Sequence, residues 1–291
     1  MSNPYRIEGP ALISFSGGRT SGYMLWHILD AYDGKLPDDV HVCFANTGKE
    51  REETLRFVNE CESRWGVRIR WLEWRSRLKS VPVSERFAEV GYGDAARAGE
   101  PFETLIKSKG ITPNGLMRFC TEELKVSVLE CFMVALGYAR WANVIGLRAD
   151  EMRRVAKQDR KNDEGSRSWV SVMPMVKSRV TKADVLAFWG KQPFDLELQG
   201  WEGNCDLCFL KGPRILKRII RDHPASAEWW SRIEQTIGKG NFTTEYSYAD
   251  LARDVAESPL LPLEPDDAEF DAECGVSGTD TRIRCGAKKA A

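Results

Sequence analysis

The sequence predicts an α/β protein in which a parallel, twisted sheet carries helices on both faces. Three short apolar segments near the start of the chain, residues 11–15, 40–45 and 67–74, are typical of buried strands. The first two are each followed by a stretch whose apolar residues recur at helical spacing. Strands that alternate with helices form parallel sheets covered on both sides, so this pattern gives the fold class.

The elements follow in order along the chain. The strand at 11–15 runs into a Ser-Gly-Gly turn, and a helix with apolar residues from Tyr23 to Leu29 comes next. The strand at 40–45 ends at Asn46-Thr47-Gly48, and the predicted helix 50–65 places Leu55 and Trp65 on one face. The third strand, 67–74, completes this repeated unit.

Later segments are predicted from the same periodicities. Between residues 75 and 115 the pattern weakens while Gly, Pro and charges accumulate, which predicts an inserted lobe of modest helical content. The highly charged segment 148–168 is predicted to be a solvent-exposed loop. The remaining predictions are helices at 119–136, 182–190 and 211–222 and strands at 143–146 and 170–175.

Three regions result from these assignments. Residues 1–200 form the α/β domain, and residues 201–257 form a helical C-terminal region that contains a Cys-x-x-Cys turn. From residue 258 to residue 291 the composition shifts to Pro, Asp and Glu, which predicts a weakly structured tail.

Composition limits the function classes. The 291 residues carry 42 basic and 43 acidic side chains, so no global field favours nucleic acid or an anionic membrane. No apolar run approaches the roughly 18 residues of a membrane span, and the N-terminus lacks the order of a signal peptide. We therefore expect a cytoplasmic protein, with no membrane partner, whose eight cysteines are core residues, metal ligands or redox groups rather than disulfides.

Residues 16–21, with the sequence Ser-Gly-Gly-Arg-Thr-Ser, have the composition of an anion-binding loop at the end of a strand. Glycines let backbone N–H groups approach an oxyanion, hydroxyls add donors, and the following helix presents its positive end. The alternative is an ordinary helix N-terminus capped by Ser16 or Thr20.

This segment resembles the PP-loop of the adenine-nucleotide alpha-hydrolase superfamily, commonly written Ser-Gly-Gly-x-Asp-Ser. The string Phe-Ala-Asn-Thr-Gly-Lys-Glu at 44–50 is similar to the second-strand motif of the phosphoadenosine phosphosulfate (PAPS) reductase family. The string Gly-Leu-Arg-Ala-Asp-Glu-Met-Arg at 146–153 is similar to that family's Gly-x-Arg-x-x-Glu-x-Arg segment. With the Cys-x-x-Cys turn these motifs stand in the family's order over about residues 11–212.

The resemblance implies an adenine-nucleotide site and the fold of that superfamily. Thr20 replaces the usual aspartate, which removes a contact to Mg²⁺, so Mg²⁺ is expected only if ATP is the substrate. Arg148 is also expected to act in catalysis. The residues implied to bind nucleotide are Ser16, Gly17, Gly18, Arg19, Thr20, Ser21, Thr47, Gly48, Gly146, Arg148, Glu151 and Arg153.

The cysteines divide by position. Cys205 and Cys208 form the Cys-x-x-Cys turn, and Cys120 lies at the start of a predicted helix. Cys131 follows Cys120 by eleven residues, a climb of about 16 Å along a helix, which is too far for one compact site. We therefore predict that Cys131, like Cys43 in a strand and Cys61 in a helix, is a core residue.

Cluster-bearing members of the family hold a [4Fe-4S] centre with a Cys-Cys pair and a later Cys-x-x-Cys. The resemblance therefore implies Cys120, Cys205 and Cys208 as ligands, although the corresponding string at 119–125 lacks one of the paired cysteines. The fourth ligand is then absent, or it is Cys274 or Cys285. A structural zinc site built from the same thiolates is the alternative.

The tail string Glu273-Cys274-Gly275 is similar to the tail whose cysteine attacks the sulfonyl sulfur in sulfonucleotide reductases. This likeness implies Cys274 as a nucleophile that a thioredoxin-like dithiol regenerates. The alternative is an exposed bystander cysteine.

Three functions are consistent with these features. The first is reduction of a sulfonucleotide, PAPS or adenosine phosphosulfate (APS), to sulfite. The second is ATP-dependent, cluster-mediated sulfur transfer to tRNA or DNA, and the third is a non-catalytic nucleotide-binding regulator with zinc. A second copy of the chain, as a homodimer, is a further expected partner.

A basic helix face could hold a nucleotide phosphate or an RNA backbone, although a solvated face is the more frequent role. The face consists of Arg214, Lys217, Arg218 and Arg221.

Overall fold

A computed structural model describes residues 3–258 of the chain. Its centre is a six-stranded sheet with the order β4-β3-β2-β1-β5-β6. The strands are β1 (Ala11–Ser14), β2 (Val40–Asn46), β3 (Ile69–Trp74), β4 (Phe87–Val90), β5 (Trp141–Ile145) and β6 (Trp169–Val172). All neighbouring strands pair in parallel except β3 and β4, so the predicted fold class is confirmed.

Eleven α-helices surround the sheet in the described part of the chain. The first eight are α1 (Arg19–Ala31), α2 (Glu52–Trp65), α3 (Glu100–Lys109), α4 (Phe119–Thr121), α5 (Val128–Ala135), α6 (Met152–Glu164), α7 (Pro174–Lys177) and α8 (Lys182–Trp189). The C-terminal region adds α9 (Pro213–Asp222), α10 (Ser226–Ile237) and α11 (Tyr248–Glu257). A π-helical segment (Glu122–Ser127) joins α4 to α5, and a 3-10 turn (Val83–Glu85) precedes β4.

Side chains that alternate along the strands feed two separate cores. On β2, Val42 and Phe44 join the core under α1, α2 and α8, whereas Cys43 faces the opposite core. The second core contains α3, α5 and the three C-terminal helices, with Trp230 fully buried in it. Cys43, Cys61 and Cys131 are buried, as predicted for core residues.

The region 75–115 differs in part from the inserted lobe that the sequence predicts. It contributes β4, which pairs antiparallel with β3 through Trp71 opposite Val90, and the ten-residue helix α3. β4 has only four residues, Phe-Ala-Glu-Val, which is too short a run for an alternating pattern to be recognised. That is why periodicity did not reveal β4.

The prediction of an exposed loop at 148–168 is wrong. Residues from Met152 to Glu164 form α6, which buries only Gln158 and ends at Gly165. A helix that lies on the surface and offers one buried side chain has no apolar stripe for sequence analysis to detect. The predicted strand at 170–175 ends earlier, at Val172, and Pro174 begins the short helix α7.

No helix within residues 3–258 is long and apolar enough to cross a membrane. The predicted tail, with Cys274 and Cys285, lies outside the described residues.

Candidate nucleotide and cysteine site

A cavity of about 310 Å³ lies beyond the carboxyl ends of β1, β2 and β5. In open α/β sheets this edge is where ligands bind. Its walls come from the loop after β1, the start of α6, the π-helical segment, α8 and residues 196–204. The lining includes all six residues of the predicted anion loop, Ser16, Gly17, Gly18, Arg19, Thr20 and Ser21.

The hydroxyl of Ser21 holds the loop in shape. Its Oγ accepts hydrogen bonds from the N–H groups of Ser16, at 3.2 Å, and Gly18, at 3.3 Å. It also contacts Ser16 Oγ at 3.0 Å, and it donates to the Gly18 carbonyl at 2.9 Å. These hydrogen bonds fix the shape of the loop, which leads directly into the first turn of α1, where the first N–H groups lack partners within the helix.

Two glycines in the site are required by geometry. Gly17 has a φ of +74°, and a Cβ added there would lie 2.7 Å from Thr54 Cγ2. At Gly146, which follows β5, a Cβ would lie 3.3 Å from Ser21 Cα, so the absence of a side chain lets β5 end directly against the loop.

Arg148 crosses the cavity to the loop. Its Nη1 donates to Thr20 Oγ1 at 3.3 Å and its Nε to Asp150 Oδ1 at 2.9 Å, while its backbone N–H donates to Glu151 Oε2 at 2.8 Å. Partial burial disfavours the Asp150 carboxylate, but hydrogen bonds from the Lys182 N–H and from Arg148 keep its pKa below the ordinary value. The structure thus brings the loop and the Gly-x-Arg-x-x-Glu-x-Arg segment together across one cavity.

Arg19 lines the same cavity, and its guanidinium is engaged with residues beyond α8. Nε and Nη2 each lie 2.7 Å from an oxygen of Asp195, and Nη1 donates to the Leu198 carbonyl at 2.8 Å. Trp189 Nε1 donates to the Arg19 carbonyl at 2.8 Å. Arg19 therefore anchors the start of α1 to residues 195–198.

Three of the residues predicted to bind nucleotide lie elsewhere. Arg153 is exposed and absent from the cavity lining, where Arg154 stands instead and donates to Glu151. Gly48 packs against Gly99 and Pro101. Thr47 is buried, and its hydroxyl faces Cys205 Sγ at 3.6 Å.

Glu50 connects the end of β2 to the cavity. Its Oε2 accepts from both the N–H and the Oγ1 of Thr47, each at 2.8 Å. Its Oε1 lies 3.7 Å from Lys125 Nζ, and both Glu50 and Lys125 line the cavity. Lys125 belongs to the π-helical segment, a form of helix that recurs at functional sites.

Cys120, Cys205 and Cys208 line one small pocket, with a volume of about 10 Å³, beside the nucleotide cavity. Thr47 and Lys125 also line it, so Lys125 contacts both spaces. The fold therefore brings the three predicted thiols together from two distant parts of the chain.

A buried ammonium group lies next to these thiols. Lys211 Nζ donates to the carbonyls of Glu202, Cys205 and Asp206 at 3.3, 3.1 and 2.8 Å. Burial lowers the pKa of Lys211 to about 8, and the neighbouring Cys208 and Asp206 side chains oppose that shift. Asp206 is in turn paired with Lys49 at 2.9 Å.

Thiolates are ligands for both iron–sulfur clusters and zinc in proteins. Among residues 3–258 no three His, Cys, Asp or Glu side chains are placed to hold one metal ion together. Positive charge at Lys211 offsets the negative charge that several thiolates would bring.

Sequence reasoning missed several residues of the site. Glu50 ends the string 44–50, Arg154 directly follows the string 146–153, and Lys125 lies in the predicted helix 119–136, but nothing in their spacing showed that they face a cavity. Lys182 and residues 199–204 reach it only through tertiary folding.

The sheet, the glycine-rich loop after its first strand and the facing arginines define a nucleotide-binding α/β protein of the PP-loop class. The phosphoadenosine phosphosulfate reductase domain model matches residues 10–192, and the chain belongs to this family.

Two relatives were found. The chain is 31% identical over 224 residues to an uncharacterised nin region protein of Escherichia phage lambda, a match that covers 72% of this chain and 69% of the phage protein. It is 25% identical over 237 residues to an uncharacterised protein of Methanocaldococcus jannaschii, covering 80% of this chain and 43% of that protein.

Proposed function

We propose that the protein is a sulfonucleotide reductase that binds PAPS or APS and releases sulfite by a thiol-dependent route. The observation that carries the proposal is the side-by-side arrangement of the loop cavity and the pocket of Cys120, Cys205 and Cys208, with Lys125 lining both. An anionic nucleotide in the cavity would thus lie next to a thiol-rich site.

The cavity is suited to a substrate with two or more anionic groups. Arg148, Arg154, Lys125 and Lys182 line it together with the loop. Guanidinium groups bind phosphate and sulfate oxygens through paired hydrogen bonds, which are stronger than neutral ones. The two carboxylates that line the cavity, Glu50 and Glu151, are outnumbered by these cations, so the cavity keeps a net positive lining.

The proposed reaction uses Cys274 as nucleophile. Its thiolate attacks the sulfonyl sulfur, and the bond from that sulfur to the phosphate oxygen breaks, so the nucleotide leaves with the electron pair. A thiolate of a dithiol protein then attacks Cys274 Sγ and sulfite leaves. The second thiol closes the disulfide and returns Cys274; the sulfonyl sulfur gains two electrons, and the dithiol loses those two electrons and two protons.

Cys120, Cys205 and Cys208 would hold an iron–sulfur cluster in this scheme. When bound, the cluster supplies a fixed, charged neighbour to the nucleotide site. The protein's own residues bind and orient the substrate: Arg148 and Lys125 face the anionic groups, and the loop N–H groups face the phosphate.

Sulfur transfer to tRNA or DNA is the second candidate. The observation that favours it is that three thiols, rather than four, line the pocket within the described residues. A three-cysteine site leaves a coordination position for sulfur.

Sulfite release from PAPS and from APS, with a thioredoxin-like dithiol as reductant and protein purified without oxygen, tests the proposal. We expect release by the unaltered protein and none by Cys274→Ser. Cys61→Ala is the matched control, because Cys61 is buried in α2 away from both pockets.

Equal release from Cys274→Ser and the unaltered protein would remove Cys274 from the reaction. No release by the unaltered protein, together with ATP-dependent sulfur incorporation into tRNA or DNA, would replace reduction by sulfur transfer.

A further inference from the structure

We propose that Glu50 recognises the nucleoside part of the ligand by accepting a hydrogen bond on Oε1 from a ribose hydroxyl or a base amino group. The inference rests on the proposed nucleotide-binding function. It adds the residue that distinguishes a nucleotide from a bare polyphosphate.

One carboxylate oxygen of Glu50 is already used and the other is not. Oε2 accepts from the N–H and hydroxyl of Thr47, which fixes the orientation of the carboxylate. Oε1 is buried and has no hydrogen-bond partner among residues 3–258. Lys125 Nζ lies 3.7 Å from Oε1, which is beyond hydrogen-bond distance.

The free-energy cost of leaving Glu50 Oε1 without a hydrogen-bond donor indicates which ligand groups would bind there. A buried carboxylate oxygen without a donor loses the hydrogen bonds that water would give it, so a ligand that supplies a donor recovers them. Phosphate and sulfate groups offer only acceptors at neutral pH and would be repelled. Ribose hydroxyls and a base amino group are the donors that a nucleotide carries.

The position of Glu50 is consistent with a nucleotide whose phosphates bind the anion loop and whose nucleoside contacts Glu50. The anion loop follows β1 and Glu50 follows β2, and these strands are parallel neighbours with Ser14 opposite Cys43. Neighbouring strands lie about 4.8 Å apart, so the two ends of one nucleotide can reach both sites. Glu50 and the loop line the same cavity.

The test compares ATP with inorganic tripolyphosphate, which has the same phosphates and no nucleoside. In Glu50→Gln the amide oxygen should turn to the Thr47 N–H, which must have an acceptor, and the NH₂ group then faces the cavity. We expect ATP to bind about 10- to 100-fold more weakly, the worth of a hydrogen bond to a charged group. Tripolyphosphate should bind as tightly or more tightly.

Analogues of ATP identify the donor without any substitution. Inosine triphosphate lacks the amino group, and 2′-deoxy-ATP and 3′-deoxy-ATP each lack one hydroxyl. One of the three should bind the unaltered protein about tenfold more weakly than ATP, and Glu50→Gln should not distinguish that analogue from ATP. Glu53→Gln, outside the cavity, is the matched control and should bind ATP as the unaltered protein does.

Three results would overturn the inference. The first is ATP binding that is equal in Glu50→Gln and the unaltered protein, and the second is an equal loss for ATP and tripolyphosphate, which marks a structural role. The third is unaltered binding of all three analogues, which applies even if the variant does not fold. Absence of binding of ATP, PAPS and APS to the unaltered protein would overturn the proposed function as well.

Discussion

Thr20 stands where the PP-loop pattern has an aspartate, and Arg148 Nη1 lies 3.3 Å from its hydroxyl. An aspartate at this position would pair with Arg148 and would offer a carboxylate to Mg²⁺. We expect Thr20→Asp to weaken ATP binding in EDTA about tenfold and to make it dependent on Mg²⁺.

Calorimetric titration of ATP with and without Mg²⁺ measures this effect. Thr20→Asn is the matched control, since asparagine has the shape of aspartate without its charge. If Mg²⁺ has no effect on ATP binding to Thr20→Asp, position 20 does not set metal dependence.

Gly17 is the loop residue with the least tolerance for a side chain. Gly17→Ala combines a positive φ with a contact of 2.7 Å to Thr54, and we expect it to lower the free energy of unfolding by about 1–3 kcal/mol. Urea denaturation measures the loss. At Gly18, where φ is negative and the nearest atom to an added Cβ lies 3.7 Å away, alanine should leave stability nearly unchanged. Equal effects of the two substitutions would contradict this account.

For single residues, the sequence predicted which ones lie near the site better than it predicted where their side chains point. The loop and Arg148 line one cavity, and the three thiols line the small pocket beside it. Thr47 faces the cysteines and Arg153 faces solvent, because the direction of a side chain depends on how the chain turns after a strand or into a helix. A sequence motif gives the spacing of residues along the chain, but it does not show how the chain turns and so which way a side chain points.

Helices α3 and α10 are joined by an ion pair that should make stability depend on pH. Glu103 accepts from Arg232 at 3.0 and 2.7 Å, and these hydrogen bonds, with help from Lys107, lower its pKa to about 2. Because the carboxyl pKa is lower in the folded state, the stabilisation is complete above the unfolded value of about 4.3 and is lost as pH falls toward 2.

Glu103→Gln should therefore reduce stability near neutral pH and should remove part of the decline below pH of about 4.3. The reduction should be at most about 1 kcal/mol, because Arg232 is half exposed and water screens the pair. Thermal unfolding between neutral and acidic pH measures both effects, with the exposed Glu228→Gln as control. An unchanged pH profile would show that the pair does not stabilise the protein.

Elements with an apolar stripe or strand pattern were predicted, and elements without one were not. Strands β1, β2 and β3 and helices α1 and α2 were found where periodicity placed them. Helix α6 was not predicted because charged residues cover nearly all of its surface. Strand β4 was not predicted because its place in the sheet depends on its pairing with β3, which its own four residues do not indicate.

The whole molecule is tied together at the cysteine pocket. Cys120 comes from the segment before α5, whereas Cys205 and Cys208 come from the turn that leads into the C-terminal helices. Residues 49–50 hold the same turn through backbone contacts with Cys205 and Asp206. A group bound by the three thiols would therefore fasten the C-terminal region to the sheet.

Protein purified without oxygen should contain iron and sulfide, and Cys120→Ala and Cys205→Ala should lose most of both. Cys61→Ala should retain them. Removal of iron with a chelator should speed proteolysis within residues 201–257 more than within α1 or α2, since the bound group adds stability to the folded state. Zinc without sulfide would instead indicate a structural site, and unchanged proteolysis would show that the pocket does not fasten this region.

Lys125 borders both the nucleotide cavity and the cysteine pocket, and this shared wall imposes a thermodynamic symmetry. If a ligand in the nucleotide cavity moves the Lys125 ammonium or changes its electrostatic environment, it changes the affinity of the cysteine pocket for its own ligand by some factor. A ligand in the cysteine pocket then changes the affinity of the cavity by the same factor. The two binding equilibria then carry a single coupling free energy, and a titration from either side returns the same value.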